Sequence, residues 1–192
     1  MDVSRRVTVV IGAATPPGRL HAAATAVAER LRSHGADVSV VDLSALRVEV
    51  ADGRPDDAYD DATRAAIATV TEADAVVIAS PVYRASIPGV LKNLLDFVPE
   101  SAREAKPVGI VAMGGSAHHY LDVDRHLRDI LSWFGALLAP TSVDRTGRDF
   151  DAGIPTAGTV AMLGDLTMTV LALTDRLAGV ALGPEPLAKQ AL

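Results

Sequence analysis

Short apolar, β-branched runs alternate with helix-patterned stretches along most of this 192-residue chain, and that alternation restricts the fold more than any other feature. Arg6–Ile11 reads as a first strand. Leu20–His34 reads as a helix with Ala24, Val27, Ala28 and Leu31 on one face and Gly35 as its stop. Asp37–Leu43 is the second expected strand, the Asp-rich stretch 51–61 a loop, and Ala62–Glu72 a helix whose start suits that acidic end. Ala75–Ala79 is apolar at every position, as a strand buried on both faces requires. It stops at Ser80-Pro81, and an amphipathic helix follows over Ile87–Val98. Lys106–Met113 and His118–Phe134 repeat the pair, with Leu121, Ile130, Leu131 and Phe134 as expected core positions. Gly135–Val143 supplies a fifth strand, 144–155 a loop, Thr156–Leu177 a last helix, and the tail with Pro184 and Pro186 is expected to be irregular.

Such β-α units with short connections require a mostly parallel sheet covered on both faces. Right-handed crossovers leave two common strand orders, of which the five-stranded one is 2-1-3-4-5. The expected fold class is therefore α/β, a flavodoxin-like five-stranded parallel sheet of order 2-1-3-4-5 with helices on both faces. Ligands of such sheets bind at the carboxyl edge, where the order reverses between strands 1 and 3. Loops 12–19, 80–86 and 113–119 lie there. No repeat, linker or composition break divides residues 1–192, so a single domain is expected.

The chain has no cysteine, which excludes disulfides, thiolate metal sites and cysteine nucleophiles. Its net charge of −6 argues against nucleic-acid binding. The first strand begins too early for a secretory signal, and no uninterrupted apolar run approaches the roughly 20 residues that span a bilayer. A soluble cytoplasmic protein with no membrane association is the expectation.

The first loop, Gly12-Ala13-Ala14-Thr15-Pro16-Pro17-Gly18-Arg19-Leu20, opens a helix whose unpaired N–H groups and dipole suit an anion. Thr15 adds a hydroxyl and Arg19 a forked cation, both suited to phosphate. It is neither a Walker A loop nor a full Gly-x-Gly-x-x-Gly, since Ala14 holds the second glycine position. A plain Gly/Pro turn with an exposed Arg is the bland alternative. In the second loop Pro81 fixes the chain direction, Val82, Tyr83 and Arg84 can aim backbone N–H groups at a ligand, and the Tyr83 ring suits a planar heterocycle. In the third, Gly114 and Gly115 allow close approach of the backbone to a flat ring, and Ser116 can cap the next helix or donate to a ligand. His118 and His119 read as surface or capping residues, since no third metal ligand lies at useful spacing. No Gly-x-Ser-x-Gly nucleophile motif is present.

The run Ser80-Pro-Val-Tyr-Arg-Ala-Ser-Ile-Pro-Gly-Val-Leu-Lys-Asn-Leu-Leu-Asp96, with Gly114-Gly115-Ser116, resembles the signature of the NAD(P)H-dependent FMN reductases, which supply reduced flavin to sulfonate monooxygenases and similar partners. The resemblance runs from Val7 to about Phe150. It implies FMN as cofactor, NADPH or NADH as co-substrate, hydride transfer to flavin N5, and a flavin-dependent monooxygenase as partner. It further implies that Thr15, Gly18, Arg19 and Leu20 hold the flavin phosphate. Pro81, Val82, Tyr83 and Arg84 would then line the ring near N5 and the pyrimidine edge, and Gly114, Gly115 and Ser116 its other side. No side chain is implied as a catalytic acid or base. Family members usually carry serines where this chain has Ala13 and Gly18, which implies weaker phosphate binding and FMN as an exchanging substrate. Some two-component members carry a Tyr in the fourth helix, where this chain has Arg125 and His126.

Two other readings share the fold: a quinone or azo reductase that retains its FMN, and a non-catalytic flavodoxin-like binding protein. A nicotinamide-binding Rossmann domain is a structural rival, with Asp42 on a ribose hydroxyl, although Asp42 reads more simply as a loop carboxylate. Apolar positions on the third and fourth helices (Val90, Leu94, Phe97; Leu127, Ile130, Trp133) exceed what one domain covers, so a homodimer or homotetramer is expected.

Overall fold

Parallel pairing joins the strands into one sheet in a computed structural model that describes residues 5–99, 102, 104–116, 120–180 and 182–189. The strands are β1 (Arg6–Ile11), β2 (Asp37–Asp42), β3 (Ala75–Pro81), β4 (Pro107–Met113), β5 (Leu137–Leu138) and β6 (Val143–Arg145). The helices are α1 (Arg19–Ser33), α2 (Asp61–Glu72), α3 (Gly89–Phe97), α4 (Tyr120–Trp133) and α5 (Ala157–Leu177). A short antiparallel ribbon, β7 (Phe150–Asp151) with β8 (Ile154–Pro155), precedes α5. The sheet order is β2-β1-β3-β4-β5, with β6 also paired to β4, so the expected order 2-1-3-4-5 forms.

The expected fifth strand is divided. Pro107 and Val108 pair with Leu137 and Leu138, and Val111 to Met113 pair with Val143 to Arg145. Between them lies Pro140, which has no N–H to give a ladder. The carbonyls of Ala139 and Pro140 accept from Arg128 Nη2 of α4 at 3.1 and 3.3 Å. The loop expected at 144–155 likewise contains structure: the end of β6, a 3-10 turn at Gly147–Asp149 and the ribbon.

Alternation along the strands sorts side chains onto two cores. Val7, Val9, Ile11, Ala75, Val77 and Val111 face α1 and α5, while Val10, Val76, Ile78, Val108 and Ile110 face α2, α3 and α4. The central strands are buried on both sides, which is why they read as unbroken apolar runs. Thr8 interrupts β1 without cost because its hydroxyl donates to the Thr69 carbonyl of α2 at 3.0 Å. Over β4, α5 passes so closely that a Cβ on Gly109 would lie 2.9 Å from Val170 Cγ2.

By length and composition alone α5 is the one described helix long and apolar enough to cross a membrane. Its apolar character is broken by Asp165 and several threonines, and one stripe of it (Thr159, Leu163, Leu166, Thr167, Val170, Leu171) is buried in the core. The apolar faces expected on α3 and α4 need a similar correction. Leu94 and Leu127 are fully buried within the domain, whereas Val90 and Trp133 remain exposed. Leu131 in α4 and Phe134 just past its end are buried as expected, and Ile130 is half-buried. The side chain of Leu121 lies outside the described residues, as do His118 and His119.

Candidate functional site

The order reversal at β1 and β3 sends α1 to one face and α3 to the other, and three hydrogen bonds bring the following loops to one edge. Gly12 N donates to Ala79 O at 2.8 Å, Val82 N to Met113 O at 3.0 Å, and Gly114 N to Arg145 O at 2.9 Å. Each loop is thus tied to the neighbouring strand at its root.

In the first loop Ala13 is buried and residues 14–19 are exposed. Gly18 is the N-cap of α1, and the N–H groups of Arg19, Leu20 and His21 have no acceptor among the described residues, as a helix start dictates. Thr15 and Arg19 project from this exposed loop, while the Leu20 side chain turns into the core. The Arg19 guanidinium packs against the 3-10 turn after β6: a Cβ on Gly147 would stand 3.2 Å from its Nη1. No carboxylate pairs with Arg19 among the described residues, so its charge is unspent. Gly147 was not anticipated from the sequence, because it approaches Arg19 across more than a hundred residues.

The second loop corrects an expectation. Val82 N–H is already given to Met113 O, and Tyr83 N–H is given to Ser86 O at 2.8 Å, so neither is available to a ligand. Ser86 N returns a bond to Tyr83 O at 3.0 Å, closing a two-residue turn. Its central residues, Arg84 and Ala85, have φ of 50° and 60°. Both angles lie in the left-handed region that such a turn demands and that glycine or asparagine usually fills. The turn is held from outside by His126 of α4, whose Nδ1 lies 2.7 Å from Ser86 Oγ. Tyr83 and Arg84 are exposed at its tip, and Pro81 ends β3 opposite Met113.

In the third loop Gly114 is buried while Gly115 and Ser116 are exposed. A Cβ on Gly115 would meet no atom within 4 Å, so space is open in front of the backbone there.

Beside these loops, Arg145 donates to Asp149 Oδ1 at 3.0 Å and Asp149 accepts from Thr146 N at 2.7 Å, making the 145–149 segment rigid. Burial pushes the Asp149 carboxyl up, but Thr146 and Arg145 outweigh it and hold it below its ordinary value. Asp144 behaves oppositely. Burial, with Asp124 beside it, pushes its carboxyl up to about 6 despite Ser142, Arg145 and Arg128.

Asp42 is more than a loose loop carboxylate. It accepts from Ser44 N at 2.9 Å and Ser44 Oγ at 2.8 Å, and lies 3.3 Å from His21 Nε2. Burial raises its carboxyl, but Ser44 and His21 together bring it below the usual value. His21 in turn accepts from Gly18 N, a contact the sequence signals only as a polar side chain three residues after a helix cap.

Three cavities lie away from these loops: 290 Å³ between 140–143 and α5, 360 Å³ between α3 and α4, and 1270 Å³ at the amino edge of the sheet beside the tail. Among the described residues no group of three or more His, Cys, Asp or Glu could hold a metal ion. The edge presents unpaired N–H groups and a guanidinium at one end and an exposed aromatic with open backbone at the other.

Residues 5–146 match the family described as NADPH-dependent FMN reductase. A Geobacillus thermodenitrificans protein named NAD(P)H-dependent FAD/FMN reductase is 41% identical over 107 residues, covering 56% of this chain and 58% of that relative. The chain thus matches little more than half the length of that protein. The NADH-dependent FMN reductase SfnF of Pseudomonas putida is 31% identical over 148 residues, covering 76% of this chain and 80% of the relative. An oxidoreductase from Corynebacterium diphtheriae superposes with a TM-score of 0.69 at 25% identity, over 90% of this chain and 98% of that one. A flavodoxin from the Archaea superposes with a TM-score of 0.65 at 13% identity, over 88% and 99%, which shows the shared fold.

Proposed function

Because this chain belongs to the NADPH-dependent FMN reductase family, we propose that it passes a hydride from a reduced nicotinamide to FMN, with the flavin held by the three loops at the carboxyl edge. The observation that carries this reading is the pairing, on one edge, of an anion site with an open face. Unpaired N–H groups of Arg19, Leu20 and His21 stand with the Thr15 hydroxyl and the unspent Arg19 guanidinium at one end. The exposed Tyr83 turn and the unobstructed Gly115 stand at the other. That donor set fits a phosphate and a flat ring.

The chemistry FMN would supply is acceptance of a hydride at flavin N5 from the nicotinamide stacked on it. The chain's own part is positional. Thr15, Arg19 and Leu20 would hold the phosphate, the last two through backbone N–H groups, whereas Gly18, whose N–H is given to His21, serves as the N-cap and offers no donor of its own. Pro81, Tyr83 and Arg84 would border the ring system, with free N–H groups at Arg84 and Ala85 in place of those spent at Val82 and Tyr83. Gly114, Gly115 and Ser116 would border its other side and leave a face open for the nicotinamide. No side chain needs to move a proton for such a transfer, and orientation of the two rings carries the rate.

The small number of hydroxyls in the first loop supports FMN as an exchanging substrate, with reduced flavin passing to a monooxygenase in solution. The exposed Trp133 and Val90 support self-association as a dimer or tetramer. Steady-state assays test the reading: nicotinamide oxidation should require added FMN and saturate with it. Tightly retained, stoichiometric FMN with ping-pong turnover of quinone would instead mark a quinone or azo reductase, and no flavin-dependent oxidation would mark a binding protein.

A further inference from the structure

The phosphate end of this site contains a closure that the family reading leaves unused. Gly18 N–H donates to His21 Nδ1 at 3.3 Å, while His21 Nε2 lies 3.0 Å from Ser44 Oγ and 3.3 Å from Asp42 Oδ1. A ring nitrogen that accepts from an amide carries no proton, so the other nitrogen holds it and donates to the Asp42–Ser44 pair at the end of β2. The ring is well enclosed, with 12% of the side chain exposed. Asp42 is fixed in turn by the Ser44 amide and hydroxyl.

Position 21 is the third residue of α1, where a Glu or Gln side chain commonly reaches back to the N-cap N–H. A Glu there would place a full negative charge at a helix start that has to receive an anion. A neutral imidazole closes the same turn without that charge. It uses only the Gly18 N–H and leaves those of Arg19, Leu20 and His21 free. It also stands between the Asp42 carboxylate and the loop.

We propose that His21, oriented by Asp42 and Ser44, is the positioning residue of the phosphate end, and that it gives the chain its preference for a phosphorylated flavin over riboflavin. The inference rests on the assignment of the 15–21 segment to the FMN phosphate made above. Its direct partner is Gly18, and its effect on the ligand passes through the loop it closes.

The test is equilibrium binding of FMN and of riboflavin to the full chain, read by flavin fluorescence. Wild type should bind FMN more tightly than riboflavin. His21→Leu should weaken FMN about tenfold and leave riboflavin within about twofold, because only the phosphate contact is lost. His21→Gln restores a neutral acceptor and should return FMN binding to near the wild-type value. His21→Glu restores the acceptor but adds charge, and should weaken FMN in a manner relieved by salt. If His21→Leu does not fold, the Gln and Glu variants carry the comparison alone. Equal loss of both flavins, or no change in their ratio, overturns the positioning role while leaving the FMN reading intact. Wild type that binds neither flavin overturns the reading and this inference with it.

Discussion

Asp144 is the one carboxyl among the described residues that its surroundings raise clearly above the ordinary value. Half-buried on β6 beside Asp124, its carboxyl is raised from 3.8 to about 6, so ionising it costs the folded state. Below the unfolded value both states hold the proton and the penalty is absent. As pH rises through the window from about 4 to 6, the unfolded carboxyl ionises first, the folded chain holds the extra proton, and stability falls until both are ionised. Asp144→Asn removes the cost. The difference in urea midpoint between variant and wild type should therefore grow in the variant's favour across that window and be flat above it. A constant difference at all pH values would show that the carboxyl is not raised. Residues of this kind are hidden in the sequence, because Asp144 looks like any polar residue at a strand end until β6 is set against α4. His21 was hidden for a related reason: its partners Gly18 and Asp42 lie on separate elements, and histidine is not the usual residue at that helix position.

At the scale of elements, the sequence was most legible where a single physical requirement dominates. The central strands had to be apolar on both faces, and their runs mark β1, β3 and β4 to within about two residues. Legibility failed where hydrogen bonds cross between elements. The split at Pro140 depends on Arg128 of α4, and the availability of N–H groups in the second loop depends on Met113 and Ser86. The turn at Arg84-Ala85 shows the same limit, since no glycine announces it. Two non-glycine residues in the left-handed region store strain of about 1 kcal/mol each. Ala85→Gly should relieve part of it and, after the added freedom of the unfolded chain, stabilise the fold by about 0.5 kcal/mol. Denaturant unfolding reads the sign. A loss of stability would mean that the turn is not strained as its angles indicate.

For the whole molecule, the edge built from three loops and the exposed faces of α3 and α4 are the two surfaces that call for partners. Trp133, 43% exposed, lines a 360 Å³ hollow between the two helices together with Leu95 and Ile130, and Val90 elsewhere on α3 is 37% exposed. A second copy of the chain is the partner we assign to this face. Light scattering should report a dimer or larger species, and Trp133→Glu should shift it toward the monomer without changing the far-ultraviolet spectrum. A wild-type monomer would overturn that assignment and leave the flavin site untouched. Family and fold were both legible from the 80–96 run and its glycine-rich neighbour, since a long motif on a strand-loop-helix fixes backbone and ligand edge together. If this edge holds FMN for hydride transfer from a nicotinamide, as proposed, anaerobic mixing of the chain with FMN and NADPH, then NADH, will reveal it. The flavin's yellow absorbance should be lost at a rate proportional to protein; FMN left unbleached by both nicotinamides would overturn the reductase reading.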